Sequence, residues 1–504
     1  MLAPSTSRRP AVAALVTMAC LGAGVLLLEV LLTRVLAIAL FSHLAFVVIA
    51  LALLGLAVGG WIAARHEGLS AEARGRRVSV ALLIAAAVAL AAVLFVAWVP
   101  LVPDVVTHAG KVADSFSTRR RAIAADPFQL HWVAITIAAV LQMVPFAAAS
   151  YAQSLLLAAA PESSGRLYAV DVGGACVGAL GAVALLPVLA GPNTIGVVIV
   201  MFVAAAVCSA LALGLGPPRR VARWAVVALA LAAAAILAVR PIVMHHGAGF
   251  SESHVVDTVW TSLARVSLHE MADEDEEASN AGISDPWLLV DNTSRTRVAF
   301  ANDTHSRRNL ERIPTSLRPA GDVLIIGAGG GDEIASALAT AAPGGRHIDA
   351  VEVADGMPTL LRRHFGDRPD FLLSQPEVSY HVADGRAYVE HSDRRWSAIQ
   401  LKEVNFHSLA GQVASTWSPS LLFTVEAFGA YLDHLAADGI LSIERFYPKD
   451  YATGVRGLLS TLRVAADARG LDLRDRVVVV KRPYSYGLRA SVMVGAAPFS
   501  QQDF

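Results

Sequence analysis

Four glycines and one acid in the second half of the chain have the types and the spacing that suit nucleoside binding. The 504-residue sequence reads VLIIGAGGGDEIASALATAAPGGRHIDAVE at 323–352, with Gly327 and Gly329–Gly331 near its start and Glu352 at its end. Glycine lets a backbone approach a ligand without a Cβ in the way, and a following helix offers free N–H groups. An acid about 20 residues past such a turn is placed to hold two ribose hydroxyls. The segment predicts a nucleoside-containing cofactor; a tight turn that binds no ligand is the alternative.

The elements around these residues follow the order of a doubly wound α/β domain. Residues 323–326 are predicted as a buried strand, 327–331 as a turn, 332–341 as a helix and 347–352 as a second strand. Beyond them we expect helices at 357–365, 424–436 and 453–468, and strands at 378–382, 397–401, 439–445, 476–481 and 489–494. Such alternation builds a parallel sheet, here ending in an antiparallel hairpin. A small β extension is expected before it, from Ala264–Leu268, Trp287–Asp291 and Arg297–Ala301.

The first half of the chain has the composition of a membrane protein. The sequence is 55% apolar with a mean hydropathy of +0.53, and the excess lies in residues 1–241. Apolar runs of about 20 residues there can each cross a hydrocarbon layer of roughly 30 Å. The spans are expected near 11–33, 44–64, 79–100, 130–156, 168–190, 195–216 and 222–240. The chain then divides into a transmembrane helical domain (1–241), an irregular polar connector (242–285) and an α/β domain (286–504).

Charge and cysteine content exclude two classes of protein. The net charge is −1, and no basic patch with interleaved aromatic residues occurs, so nucleic acid is not an expected partner. All three cysteines, Cys20, Cys176 and Cys208, fall inside predicted spans. The sequence therefore predicts neither a disulfide framework nor a cysteine metal site, and no other metal-ligand spacing occurs.

The distribution of basic residues creates a conflict about membrane topology. Three basic segments, at 8–9, 65–77 and 219–223, would all be cytoplasmic by the positive-inside rule. Seven spans would then place the α/β domain on the other side. The loop with Lys111 and Arg119–Arg121 is also basic and weakens that inference. Because adenosyl cofactors are made in the cytosol, we expect a cytoplasmic α/β domain, an integral membrane location such as the bacterial inner membrane, and a different span count.

Several segments resemble the spermidine synthase (polyamine aminopropyltransferase) family, in its membrane-fused bacterial form. The matching pieces of the α/β domain are GAGGGDE at 327–333, VE at 351–352, ADGRAYV at 383–389 and TVEAFGAYLDHLAADGILSI at 424–443. In the membrane half, LLEVLLTRVLA at 27–37 and RLYAVDVGGACVGAL at 166–180 are also similar to that family. The resemblance implies a class I S-adenosylmethionine-type (Rossmann-like) fold, polyamine biosynthesis, and decarboxylated S-adenosylmethionine as cosubstrate.

The same resemblance implies roles for individual residues. Glu352 would hold the ribose hydroxyls, Asp384 beside Gly385 would face the adenine amine, and Asp332 would lie near the sulfonium and amine end of the cofactor. Carboxylates suit all three roles, since they accept hydrogen bonds from hydroxyls and amines and favour a nearby cation. Helix capping is the alternative role for Asp332, and a cap or turn for Asp384.

The pattern departs from the family after the fourth strand, where an aspartate normally takes the proton from the attacking amine. Here the segment is WSAIQLKEVNFHS at 396–408, with Lys402 in the place of that aspartate and Asn405 in the place of a second one. A lysine with an ordinary pKa of about 10.4 is charged at neutral pH and cannot act as a base. Glu403 and His407 are weak substitutes, so the catalytic residue stays unknown. Glu333 also replaces the last glycine of the family's GGGDG pattern.

Other polar residues have structural interpretations beside functional ones. Tyr380 and Tyr388 line the pocket or pack in the core. His305 with Arg307–Arg308 closes over the cofactor or forms a solvated turn. Charges inside spans, such as Glu29, Arg34 and Asp171, are costly in lipid and are usually paired or functional. Pairing of Asp171 with Arg34 is expected, and a hydrophilic path is the alternative.

Two functions remain open from the sequence. The first is a membrane-anchored transferase that uses S-adenosylmethionine or its decarboxylated form to transfer a methyl or aminopropyl group. Its acceptor would be a small-molecule amine or a membrane-delivered compound, and the protein could form a homo-oligomer in the lipid bilayer. The second is a transporter or sensor whose α/β domain binds the nucleoside without catalysis.

Overall fold

The computed structural model describes twelve stretches of the chain: 9–40, 45–66, 68–102, 131–212, 220–247, 252–272, 284–292, 294–303, 310–402, 421–447, 453–484 and 487–503. These residues form two compact units. One contains 1–253 with 260–265, and the other contains 254–259 with 266–504.

The first unit is built from long apolar helices. They are α1 (Arg9–Ala39), α2 (Ala45–Ala64), α3 (Ala71–Trp98), α4 (Trp132–Ala159), α5 (Ser164–Val188), α6 (Ile195–Ala212) and α7 (Arg220–Val239). Six of them, α1 to α6, are long and apolar enough to cross a membrane, while the apolar part of α7 is the shorter stretch Arg223–Val239. Six of the seven expected spans therefore meet the requirement of length and composition.

Glycines allow two pairs of these helices to pack backbone to backbone. A Cβ on Gly174 or Gly178 of α5 would lie 2.2 Å from the carbonyl oxygen of Ala19 or Ala23 in α1. A Cβ on Gly59 of α2 would lie 2.1 Å from the carbonyl oxygen of Ala147 in α4. Such contacts replace the hydrophobic effect as the source of helix association in lipid, because small residues permit close van der Waals packing.

The end of α7 is held beside the start of α6. Asn193 precedes α6, accepts a hydrogen bond from the Ile242 N–H (2.9 Å) and donates one to the Ile242 carbonyl oxygen (3.0 Å). The His245 N–H donates to the carbonyl oxygen of Ala97 at the end of α3 (2.9 Å). Helix α7 therefore runs back along α6 to the end of the bundle where α6 begins.

Asp171 of α5 is buried within this unit and interacts with a neighbouring helix. Its Oδ2 accepts a 2.6 Å hydrogen bond from the Gln153 side-chain amide of α4. Pairing of Asp171 with Arg34 stays a prediction.

A four-stranded antiparallel sheet opens the second unit. Its strands are β1 (Val255–Trp260), β2 (Arg265–Ala272), β3 (Ser284–Val290) and β4 (Ser294–Arg297), paired in the order β1-β2-β3-β4. Strand β2 overlaps the expected strand Ala264–Leu268 of the β extension, and its alternating apolar side chains Val266 and Leu268 are buried in a core. Strand β1 also lies within the segment 242–285, which was expected to be irregular apart from that strand. The third strand of the expected β extension ends at Arg297 rather than beginning there.

A seven-stranded sheet forms the rest of the second unit. Its strands are β5 (Val323–Ile326), β6 (Ile348–Glu352), β7 (Val378–Val382), β8 (Trp396–Lys402), β9 (Leu435–Tyr447), β10 (Val477–Tyr484) and β11 (Gly487–Gly495). The order is β10-β11-β9-β8-β5-β6-β7, with β5 to β9 parallel and β11 antiparallel to both of its neighbours. The reversal of strand order between β5 and β8 creates a switch point, where ligands bind in open α/β sheets.

Helices cover both faces of this sheet. They are α8 (Arg312–Leu317), α9 (Asp332–Ala339), α10 (Gly356–Phe365), α11 (Gly385–Glu390), α12 (Val425–Asp433) and α13 (Thr453–Asp467). One core contains Val389, Phe428 and Leu462 from α11, α12 and α13, and a second contains Ile334 of α9. The predicted doubly wound domain is confirmed, with helix ends that differ from prediction by up to three residues.

Candidate functional site

The predicted site residues gather at the carboxyl ends of the parallel strands. Gly327–Gly331 follow β5, Glu352 is the last residue of β6, Asp384 follows β7, and Lys402 is the last residue of β8. Parallel pairing brings these ends to one edge of the sheet, since Ile326 lies opposite both Val351 and Leu401. The fold therefore places all of them at the same edge of the sheet that contains the switch point.

The glycine turn requires glycine because of packing within the protein. Gly327, Gly329 and Gly331 have φ values of 78°, 50° and 100°, a region that side chains with a Cβ rarely adopt. At Gly330 a Cβ would lie 1.8 Å from the carbonyl oxygen of Arg297, because the segment around β4 runs directly over the turn. The close backbone approach that these glycines permit is thus made by the protein's own chain.

All five backbone N–H groups of the turn already have acceptors. Those of residues 327 and 328 donate to the Val351 carbonyl oxygen, and that of 331 donates to the Ala328 carbonyl oxygen. The Gly329 N–H donates to Glu352 Oε2 (3.1 Å), and the Gly330 N–H donates to Thr296 Oγ1 (3.0 Å). A phosphate cradle needs several free amides that point at the anion. This turn therefore suits a ligand without phosphates.

Glu352 keeps acceptor capacity although it is buried. Its Oε2 accepts from Gly329 N–H and its Oε1 accepts from Ala354 N–H (2.9 Å). Each carboxylate oxygen has two lone pairs, so each can accept one further hydrogen bond. Burial raises the pKa of Glu352 above its ordinary value, against the lowering effect of these backbone hydrogen bonds.

Tyr380 of β7 lies on the same face of the sheet as Glu352. In the register, Tyr380 is opposite Ala350, two residues before Glu352, so the two side chains share a face. Burial, and secondarily the charge of Glu352, raise the pKa of Tyr380 well above its ordinary value. Within the described residues, no hydrogen bond reaches its buried hydroxyl. The tyrosine that the sequence suggested as a pocket residue therefore has an unsatisfied polar group beside the predicted ribose carboxylate.

Asp332 does not cap the helix that it begins. Gly331 is the N-cap of α9, and this residue supplies no side-chain hydrogen bond to the helix. The Asp332 carboxylate instead forms a 2.6 Å ion pair with Arg297, which also pairs with Asp303 at 2.5 Å. Burial raises the pKa of Asp332, but Lys402 and Arg297 outweigh burial and hold it below its ordinary value. Cations from this chain thus neutralise a carboxylate that was expected to face the cationic part of the cofactor.

Lys402 lies among three carboxylates. Its Nζ is 2.9 Å from Glu333 Oε1, 3.0 Å from Glu311 Oε1 and 3.6 Å from Asp332 Oδ2. Burial alone would lower the pKa of Lys402, but the charges of Glu311, Glu333 and Asp332 raise it well above the ordinary value. Lys402 is therefore a permanent cation at this site and cannot take a proton from an acceptor.

The charged form of Glu333 is disfavoured, whereas the charged form of Lys402 is favoured. Burial, together with the negative charges of Glu311 and Asp332, raises its pKa from 4.5 to about 7, although Lys402 acts in the other direction. One carboxylate of the cluster thus changes its charge near neutral pH.

Asp384 and Gly385 have structural roles at the start of α11. Asp384 is the N-cap of this helix, and its side chain accepts a hydrogen bond from the Ala387 N–H (2.8 Å). A Cβ on Gly385 would lie 2.3 Å from Ile326 Cγ2 of β5. The capping alternative for Asp384 is therefore confirmed, and its contact with adenine stays a prediction.

Some candidates lie outside the described residues, and others were missed. Glu403, His407, His305 and Arg307–Arg308 belong to segments that the structure does not describe. Sequence reasoning missed Thr296, Arg297 and Glu311, which reach the site from positions that precede the glycine turn. Their charge makes Arg297 and Glu311 candidates for a site, but their partners Asp332 and Lys402 are 35 and 91 residues away along the chain.

Comparisons with known proteins concern the fold. No protein-family model and no curated protein matches the chain. Among solved structures, a spermidine synthase from Thermotoga maritima is similar, with 18% identity, a TM-score of 0.34, and coverage of 50% of this chain and 76% of that one. A probable spermidine synthase from Corynebacterium glutamicum ATCC 13032 is 16% identical, with a TM-score of 0.35 and coverage of 50% of this chain and 83% of that one. A putative rRNA-methylase from Clostridium thermocellum is 11% identical, with a TM-score of 0.24 and coverage of 35% of this chain and 88% of that one. By its own architecture, the chain joins six long apolar helices to a mixed sheet of the Rossmann-like methyltransferase type.

Proposed function

We propose that the second unit binds S-adenosylmethionine or its decarboxylated form, and that the protein is a membrane-anchored transferase of a methyl or aminopropyl group. The observation that carries this proposal is Glu352, a buried carboxylate with spare acceptor positions at the switch point, beside a turn without free amides. A nucleoside without phosphates fits both features. A dinucleotide or a nucleoside triphosphate fits only the first.

The residues around Glu352 fit an adenosyl ligand. Glu352 would accept hydrogen bonds from the ribose hydroxyls, and the unsatisfied Tyr380 hydroxyl offers a further polar contact on the same face. Asp384, exposed at the start of α11, would accept from the adenine amine with the lone pairs that the Ala387 N–H leaves free. When bound, the sulfonium supplies an electrophilic carbon to an attacking nucleophile.

Positioning supplies most of the rate in such a reaction, because holding the nucleophile and the carbon in line replaces a bimolecular encounter. A transferase of this kind tolerates the loss of a base, particularly for methyl transfer. The acceptor would be a small-molecule amine or a compound delivered from the membrane, which would explain the attached helices.

A second candidate is nucleoside binding without catalysis, as in a sensor or transporter. Lys402 favours it, because this permanent cation stands at the position where the resemblance expects the catalytic aspartate. It would also repel a cationic acceptor.

Binding and turnover separate the two candidates. The full chain in lipid nanodiscs is titrated with labelled S-adenosylmethionine and with the decarboxylated form, and ATP serves as the phosphate-bearing control. We expect the sulfonium nucleosides to bind and ATP to bind at least about tenfold more weakly. Tighter ATP binding would refute the proposal. Incubation with diamines and lipid extracts, followed by mass spectrometry, then detects transfer; binding without any product selects the second candidate.

We further propose that the second unit faces the cytoplasm, where the donor is made. This placement requires that only the six helices α1 to α6 cross the membrane, which keeps the basic segment at 65–77 on the same side. A membrane crossing by α7, which returns along α6, would instead place residue 247 on the opposite face.

Two topology reporters test which face of the membrane the second unit occupies. One is fused after Phe504 and the other is inserted at Gly68, where the structure leaves open space. Reporters on one face support a cytoplasmic second unit. If the reporters lie on opposite faces, with the Gly68 reporter in the cytoplasm, the second unit has no access to the cytosolic donor and the transferase proposal is refuted.

A further inference from the structure

Asp171 is an acid inside a helix that is long and apolar enough to cross a membrane. It belongs to α5, within the apolar stretch Pro161–Val188. The residue is 9% exposed, and its Oδ1 is buried without a hydrogen-bond donor among the described residues. The nearest charged residue of α5 itself is Arg166, which is exposed and lies five positions earlier. A charged group at membrane depth is costly, and residues that carry one are usually paired or functional.

Helix α1 closes over the free oxygen of this carboxyl group. A Cβ on Gly22 of α1 would lie 2.9 Å from Asp171 Oδ1 and 2.2 Å from the Asp171 carbonyl oxygen. The backbone of Gly22 therefore lies directly against the carboxyl group, because glycine has no side chain to hold it away. Since Oδ1 is also sealed from contact with any water-sized group, neither a water molecule nor a metal ion fits beside it. A proton is the cation that needs no additional room.

The other carboxyl oxygen interacts with Gln153 of α4. The Gln153 amide nitrogen donates a hydrogen bond to Asp171 Oδ2 at 2.6 Å. A primary amide has a donor and an acceptor, so after rotation by half a turn its oxygen accepts a hydrogen bond from a protonated carboxyl group instead. The distance of 2.6 Å suits an O–H···O hydrogen bond, which is typically shorter than an N–H···O bond. Gln153 can therefore hold Asp171 in both of its protonation states.

Within the described part of the chain, no cation faces Asp171 from the helices packed against it. The facing residue of α1 is Gly22 and that of α4 is Gln153, and neither of them titrates. The charged residues of α1, Glu29 and Arg34, lie seven and twelve positions after Gly22, which corresponds to about 10 Å and about 18 Å along the helix axis. One amide is little compensation for a carboxylate in a dry interior, so the ionised form of Asp171 is poorly accommodated in this arrangement.

We propose that Asp171 is a proton-binding site inside the helical unit. It carries a proton while α1, α4 and α5 are packed as in the structure. It releases that proton when α1 separates from α5 and water reaches the carboxyl group. Proton binding is thus coupled to the packing of these helices, because the packed and separated arrangements differ in their affinity for the proton. The inference goes beyond the proposed transferase function and needs no nucleoside.

Infrared spectroscopy of the full chain in nanodiscs detects this proton directly. The carbonyl stretch of a protonated carboxylic acid is separate from the bands of carboxylates and amides. Ordinary carboxyl groups have pKa values of about 4 and are ionised at about pH 7. At that pH the difference between wild type and Asp171→Asn should contain one protonated-carboxyl band, equivalent to one group per chain. Glu162→Gln changes an exposed acid just before α5 and should leave the band in place.

A second pair of variants tests the coupling to helix packing. Gly22→Ala places a methyl group against Asp171, which should separate the two helices, admit water and weaken the band at the same pH. Gly173→Ala, which has open space around it, should leave the band unchanged. Equal bands in these two variants would refute the coupling. If Asp171→Asn does not fold, Asp171→Glu keeps a carboxyl group at this position and should shift the band.

Two outcomes would overturn the proton site itself. A wild type without the band would show that Asp171 is ionised, held by Arg34 or by a metal cation. A band of undiminished strength in Asp171→Asn would show that the proton belongs to another acid, such as Glu29. Because no nucleoside is present, either outcome leaves the nucleoside proposal intact, and failure of nucleoside binding leaves the proton site intact.

Discussion

Replacement of Glu352 by glutamine measures the proposed nucleoside contact directly. The carboxylate has one spare acceptor position on each oxygen, since each oxygen already accepts one backbone N–H. Glutamine keeps one carbonyl oxygen as an acceptor, so Glu352→Gln removes one of the two proposed hydrogen bonds. A hydrogen bond to a charged group contributes about 1.5–3 kcal/mol. At about 1.4 kcal/mol per factor of ten, Glu352→Gln should weaken binding of S-adenosylmethionine by about 10- to 100-fold.

The assay is calorimetric titration of the full chain in nanodiscs with two ligands. One is S-adenosylmethionine and the other is its analogue without the two ribose hydroxyls. The analogue should bind the wild type more weakly than the complete ligand binds Glu352→Gln, because it lacks both hydroxyls whereas glutamine keeps one acceptor oxygen. Removal of the hydroxyls should cost less in the variant than in the wild type, because the two changes delete one interaction in common. Asp355→Asn, an exposed carboxylate three residues along the same loop, should change neither affinity.

Two results would refute this reasoning. If Glu352→Gln weakened the complete ligand and the analogue equally, the carboxylate would act through the fold of the glycine turn and not on the ribose. If the variant bound the complete ligand as tightly as the wild type, Glu352 would not contact the ligand at all.

Three further predictions concern packing and pH. Gly174→Ala should destabilise the helical unit by roughly 1–3 kcal/mol, because its Cβ would lie 2.2 Å from a carbonyl oxygen. Gly173→Ala, which has open space around it, should leave the stability unchanged, and unfolding in detergent compares the two variants. Gly330→Ala should likewise lower the thermal midpoint of the second unit, whereas Gly457→Ala, an open helical position, should raise stability by roughly 0.4–1 kcal/mol. The pKa of Glu333 is raised from 4.5 to about 7, so its contribution is full below about pH 4.5 and is lost as the pH rises through 7, in total about 3 kcal/mol. Thermal midpoints from pH 5 to 8 should therefore fall more steeply for wild type than for Glu333→Gln, and parallel curves would contradict the assignment.

Local patterns were sufficient to predict most elements of the second unit. The apolar run 323–326 and the glycines after it determine a strand and a turn with little influence from the rest of the chain, and β5 is observed as predicted. Strand β9 was predicted too short, as 439–445 instead of Leu435–Tyr447. Its pairing with β11 extends it to Phe446 and Tyr447, and its pairing with β8 adds Leu435 beyond a register irregularity. Both pairings join segments that are distant along the chain, so no local pattern predicts them.

The candidate site was predicted where it depends on one contiguous segment and missed where it depends on distant ones. Glu352 and the glycine turn lie within a single βαβ unit, so spacing alone indicates their proximity. Arg297 neutralises Asp332 from a separate small sheet, and Glu311 reaches Lys402 from a turn before α8. No periodicity in the sequence connects these pairs, because only the folded chain brings them together.

The saturated amides of the glycine turn have a consequence for selectivity inside a cell. Nucleoside triphosphates and dinucleotides share the adenosine part of the proposed ligand and are abundant there. A turn that has already committed every N–H to the protein offers nothing to their anionic tails, and burying those tails against it would leave charged oxygens without donors. Under the proposed function, the backbone of the turn would therefore discriminate against the commonest adenosine compounds before any side chain of the pocket contributes.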